Sequence, residues 1–194
     1  MGNKNNRGSP QQAAIDDQLH QQQVQAQQHA MDFDYSNLPQ HPALHVEKAS
    51  GTVKLFIRID IVHSHLTAKE VNFLTILPKY APMIKVVEVL LIAPTHHESI
   101  EVYNLRVKNM IKTIKILNAL DLNELHFVIS LNRRDNFNQM ELAAACFGLN
   151  FDHWTMSTTV FGNKKKGFKI GVHSPTARRL AGVYKRDFLT QNVL

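Results

Sequence analysis

Apolar positions divide this chain into a polar leader and a body of alternating short and long hydrophobic patterns, with the break near Leu44 to Ala49. Early in the body, Val53, Leu55, Ile57, Ile59 and Ile61 recur at every second position among mostly polar or basic neighbours. That period predicts a strand over 52–61, because successive strand side chains point to opposite faces. Thr67-Ala68-Lys69-Glu70 follows with the spacing of a capping box, the Thr hydroxyl accepting from the third helical N–H while the Glu reaches back. Val71, Leu74 and Leu77 would line one face of that helix, and Pro78 would stop it.

Residues 84–93 are apolar at nearly every position, which predicts a central strand ended by Pro94. Over about 98–120 the spacing lengthens to that of a helix. Val102, Met110, Ile111, Ile114 and Leu117 gather on one side, with Glu101, Lys108, Lys112 and Lys115 on the other. A third strand is predicted over 125–131. After it comes a helix that Asn136 or Asn138 would cap, with Gln139 and Glu141 placed for reciprocal capping and Gly148 at its close.

The pattern then changes again. Residues 154–161 and 168–172 read as a hairpin whose tip, Gly162 to Gly167, carries Lys164, Lys165 and Lys166. Ser174-Pro175 supplies an N-cap and a proline at the first helical position. Leu180, Val183, Tyr184 and Phe188 form the apolar stripe of a last helix.

The order β-α-β-α-β-α-β-β-α predicts an α/β fold: one compact domain over 46–194, with a parallel or mixed sheet of about five strands. A C-terminal antiparallel hairpin and helix would complete it. Residues 1–45 are expected to be a disordered Gln-rich tail, because pairs and triplets of Gln there leave too little apolar surface to offset backbone ordering. A small cluster of Phe33, Tyr35, Leu38 and Leu44 could dock on the domain edge.

Composition narrows the function classes. No apolar run approaches the roughly 20 residues of a membrane span, and no secretory pattern opens the chain, so an intracellular protein, cytoplasmic or nuclear, is expected. Gly2 raises the question of myristoylation, but Asn6 stands where that motif wants Ser or Thr. The single cysteine, Cys146, excludes an internal disulfide and reads as a small buried thiol. The net charge is +6, and from Arg133 onward ten basic side chains face four acidic ones. Such a surface is open to polyanions.

Three readings of function follow. An interaction or adaptor domain that binds a protein partner suits a compact body without recognisable catalytic residues, joined to a polar arm. Nucleic acid or another polyanion could instead be held by Lys164, Lys165, Lys166 and Lys169 on the hairpin with Arg178 and Arg179 on the last helix. The third reading starts from two His-x-Thr tripeptides, His65-Leu66-Thr67 and His153-Trp154-Thr155. Two such elements on neighbouring strands resemble the signature of the two-histidine phosphoesterases. The resemblance implies that His65 and His153 act as general base and acid on a phosphodiester while Thr67 and Thr155 hold the phosphate.

No cofactor is expected, since the Gly-rich loops that cradle nucleotides and the nucleophile elbow are both missing. No metal is expected either. His63 with His65, and His96 with His97 and Glu98, fall short of three or four ligands at a known spacing.

Overall fold

The computed structural model describes residues 14–15, 17–22, 24–25, 34–49, 52–60, 73–92, 99–132, 137–150, 153–160 and 167–192. Six strands form one mixed sheet in sequence order: β1 (Leu44–Ala49), β2 (Thr52–Asp60), β3 (Val86–Ile92), β4 (Glu124–Leu131), β5 (Trp154–Val160) and β6 (Lys169–Ile170). The four strands β2 to β5 are parallel, and the edges β1 and β6 run antiparallel to their neighbours. The α/β class and the mixed sheet therefore stand.

The strand count does not. The first strand expected from the sequence, at residue 52, is the second strand of the sheet. β1 pairs with it in a register that joins Ala49 to Thr52, so only residues 50 and 51 lie between them. Packing also begins ahead of the boundary expected at residue 46. Ala43 and Leu44 are buried, Leu38 packs on the core, and the Tyr80 hydroxyl donates to the Pro39 carbonyl at 3.0 Å. A few apolar residues set between prolines make a weak pattern, and they are fixed by contact with distant chain. Farther upstream, Ile15, Leu19 and Val24 stand exposed in helical turns and take no part in the core.

Between β2 and β3 lie a short helix, α1 (Phe73–Ile76), and a 3-10 segment over Leu77–Met83. Pro78 thus ends the α-helical geometry without ending the helical path, because a proline in a first turn forfeits no hydrogen bond. The predicted capping box at Thr67 to Glu70 lies outside the described residues. α2 (Ile100–Asn118) begins at Ser99, whose hydroxyl accepts from the Val102 N–H at 3.4 Å. Its buried side is rotated from the expected stripe and includes Arg106, Asn109 and Thr113, while Val102 and Ile111 are half-buried. The Thr113 hydroxyl donates to the Asn109 carbonyl one turn back, at 2.9 Å, which satisfies it inside the packed layer.

The helix expected before Gly148 is a 3-10 segment over Phe137–Gly148. The cap candidate Asn136 lies outside the described residues, and Gln139 is also engaged at the end of β4. Its side-chain oxygen accepts from the Asn132 N–H at 3.0 Å, just past the end of β4. The last helix, α3 (Pro175–Val183), starts as the sequence predicts, with the Ser174 hydroxyl accepting from the Ala177 N–H at 3.1 Å and Pro175 in the first turn. It continues as a π-helical turn over Tyr184–Leu189.

Four parallel strands laid down in sequence order step always in the same direction. Right-handed crossovers then put all three connections on one side of the sheet. The core agrees: the buried apolar side chains of every helical segment join Leu55, Ile57, Ile59, Val87, Val89, Leu91, Leu125, Phe127 and Ile129 in one cluster. Phe56, Leu90, Ile92 and Val128 belong to the alternate positions of the same strands and take no part in it. The sheet thus has one helix-covered face and one face that carries no helix among the described residues. No described helix is long and apolar enough to cross a membrane.

Candidate functional site

The strand registers arrange the uncovered face in rows. One row runs His45, Phe56, Glu88, His126, Thr155 from β1 to β5, and the next runs Arg58, Leu90, Val128, Ser157, Lys169 from β2 to β6. A third places Asp60, Ile92, Ser130 and Thr159 side by side. Charges largely pair off within this surface. Lys54 bridges to Glu88 at 2.7 Å, and Arg58 bridges to Asp60 at 3.0 Å. The Lys54 ammonium also stands 4.8 Å from the centre of the Phe56 ring.

Between β3 and β6 the face sinks into a groove of about 310 Å³, lined by Glu88, His126, Thr155, Ser157, Thr159 and Lys169. Its floor is β5, whose outward residues Thr155, Ser157 and Thr159 set three hydroxyls on one face, roughly 7 Å apart along the strand. Thr155 is engaged: its Oγ1 lies 2.7 Å from His126 Nδ1, while His126 Nε2 lies 3.1 Å from Glu124 Oε2. Thr159 is 4% exposed, and its Oγ1 has no hydrogen-bond partner among the described residues. Lys169 faces Ser157 in the register and makes no ion pair among the described residues.

The outer wall depends on Gly167, which presses on the backbone of β5. A Cβ there would fall 1.7 Å from the Thr158 carbonyl oxygen. Next to it the Thr158 N–H donates to the Phe168 carbonyl at 2.9 Å, and the Phe168 side chain is 41% exposed.

The row Glu124, His126, Thr155 has the connectivity of a carboxylate, an imidazole and a hydroxyl, but its setting is unsuited to acyl transfer. Backbone N–H groups of a strand lie in the plane of the sheet, so none points out of the face above Thr155 to receive an oxyanion. His126 and Thr155 are direct cross-strand partners, and Glu124 and His126 are same-face neighbours on β4. Such contacts stabilise a solvated sheet face.

The residues singled out from the sequence are scattered. His65, Thr67, Lys164, Lys165 and Lys166 lie outside the described residues, as do His63, His96, His97 and Glu98. His153 is exposed at the amino end of β5, and Thr155 is on the groove floor. Two strands, β3 and β4, separate β5 from β2, the strand that precedes His65.

The basic candidates divide between the two layers. Lys169 stands at the groove, whereas the Arg179 guanidinium covers the Phe137 ring in the helical layer, 3.8 Å from its centre. Arg178 donates to the His173 carbonyl at 3.2 Å. Among the described residues no three His, Cys, Asp or Glu side chains converge as metal ligands. Sequence reasoning missed Glu88, His126, Ser157 and Thr159. The one signal for the last two was a hydroxyl at every second position of a strand, Thr155, Ser157 and Thr159.

Fold and groove together define a two-layer α/β domain with a polar, ligand-sized groove on its uncovered sheet face. No family model matches the chain, and no curated protein or solved structure matches it either.

Proposed function

We propose that the protein acts by binding, as an interaction domain whose recognition surface is the helix-free face of its sheet. One observation carries this reading: the groove on β5 combines a buried hydroxyl without a partner, a second hydroxyl on Ser157, and a lysine without an ion pair. Buried polar groups are almost always satisfied in native proteins, so an unpartnered hydroxyl beside a polar groove supports a ligand contact there. The groove volume falls at the small end of ordinary ligand sites, enough for one compact polar group. Phe56, Leu90 and Ile92 add half-buried apolar area on the same face, the kind of surface that a partner protein covers.

The test is a backbone amide titration of the full chain, read by NMR. The probes are small amides, carboxylates, phosphate monoesters and polyols. Shift changes concentrated on outward residues of β3 to β6 are the expected result. Changes confined to the helical layer, or none with any probe, would overturn the reading.

Polyanion binding through the hairpin is the second reading, favoured by the unpaired Lys169. Against a single basic patch stands the division of Lys169 and Arg179 between opposite layers. A labelled single-stranded oligonucleotide, titrated across a salt series, decides it. Saturable binding that weakens steeply with salt supports it.

A further inference from the structure

We propose that the groove on β5 is a phosphate-monoester pocket, in which Lys169, Ser157 and Thr159 hold the terminal phosphate oxygens. The inference rests on the reading of the sheet face as the recognition surface and names its ligand. Three features of the site select this chemistry.

First, the groups left over after internal pairing can all donate. Thr155 is occupied by His126, and the Glu88 carboxylate is neutralised by Lys54 at 2.7 Å. What remains is one ammonium and two hydroxyls, a donor set with a positive charge. Second, these donors approach from different sides. Ser157 stands on the floor, the buried Thr159 hydroxyl lies two residues along the same strand, and Lys169 belongs to the neighbouring strand, across the register from Ser157. A flat carboxylate offers two oxygens in one plane, whereas a phosphate monoester offers three around a tetrahedron. Third, the wall is shaped for close approach. Gly167 brings bare backbone against β5, where any Cβ would collide with the Thr158 carbonyl. The interaction is charge-assisted hydrogen bonding, and no bond is made or broken.

The same chemistry could arrive on a free metabolite or on a phosphorylated side chain of a partner protein, and the experiment separates the two. The full chain is titrated with glycerol phosphate, with a short uncharged peptide bearing one phosphoserine, and with that peptide unphosphorylated. Amide shifts at residues 157–159 and 167–169 are the readout.

Saturable binding of a phosphorylated probe is expected, with no response to the bare peptide. Lys169→Gln and Thr159→Val should each weaken it by about tenfold, the loss of one hydrogen bond to a charged group. Binding of glycerol phosphate at least as tight as that of the phosphopeptide identifies a free monoester as the ligand. Preference for the phosphopeptide identifies a modified partner.

The pocket is overturned if neither phosphorylated probe saturates at millimolar concentration, or if both variants bind as the wild type does. Should phosphate fail while amides, polyols or carboxylates still shift the sheet face, this proposal falls and the binding reading survives. Lys169 is exposed and Thr159→Val exchanges a hydroxyl for a methyl of the same shape, so thermal unfolding no lower than that of the wild type in either variant separates lost binding from lost folding.

Discussion

The Tyr103 hydroxyl donates to the Asp187 carboxylate at 2.8 Å, joining the first turn of α2 to the last helical turns across 84 residues of chain. Arg186 holds the same carboxylate through Nε at 2.6 Å and reaches toward Glu141 at 3.8 Å. Burial, together with the hydrogen bond to Asp187, pushes the Tyr103 phenol well above its usual range, so it remains a donor throughout the working pH range. Tyr103→Phe should therefore cost about 1 to 2 kcal/mol, the worth of a half-buried hydrogen bond to a charge. Denaturant unfolding measures it, and a loss below a few tenths would show that the contact is incidental.

Acid should weaken this end of the fold. Burial tends to raise the Asp187 carboxyl, but hydrogen bonds from Arg186 and Tyr103 outweigh it and hold the group below the ordinary carboxylate range. A carboxyl depressed in the folded state contributes stability above its unfolded value of about 3.9 and loses it as pH falls through the folded value. Glu141 acts in the opposite sense: burial raises its carboxyl, so protonation there favours the folded state. Asp187→Asn should flatten the acid limb of a stability–pH curve below about pH 4. An unaltered limb would refute the assignment.

Gly167→Ala should destabilise the β5–β6 edge. The new Cβ would meet a backbone carbonyl at 1.7 Å, and backbone cannot step aside as a flexible side chain can. A cost of about 2 kcal/mol or more is expected from thermal unfolding, with amide shifts spreading along β5. An alanine variant of native stability would mean that this approach is not required.

Thr159→Val should raise stability by up to about 1 kcal/mol. The native hydroxyl is buried without a partner, and an isosteric methyl removes a desolvation penalty without leaving a cavity. A lower midpoint in chemical denaturation would mean that the hydroxyl is satisfied in solution.

Cys146 should resist thiol reagents. It is fully buried, and burial pushes its thiol well above the usual range, so reactive thiolate is scarce. A chromogenic disulfide reagent is expected to release colour only after denaturant is added. Prompt reaction of the native protein would contradict the packing around residues 142–146.

Much of the layered architecture was legible in the sequence because it is written in local periods. The alternation of Val53, Leu55, Ile57 and Ile59 marked β2, and Ser174-Pro175 marked the start of α3. β1 was not legible, since Leu44 and Val46 gain their meaning from pairing with Ile57 and Leu55. The buried Asn109 and Thr113 were equally hidden, because a helical wheel assigns polar residues to water, whereas packing can bury a hydroxyl that bonds one turn back.

Of the candidate site, Thr155 and Lys169 were named from the sequence, though for different purposes and in separate hypotheses. Their meeting in one groove with Glu88, His126, Ser157 and Thr159 joins four strands that span more than eighty residues of chain. By itself the sequence determined which segments alternate, where several helices start, and that the fold is α/β, because these follow from interactions between residues a few positions apart. Tertiary structure alone decided that all the crossovers fall on one face, that the other face is left for a groove, and that Lys169 and Arg179 belong to different layers. Strand order and register bring distant residues together, and no local pattern encodes that placement.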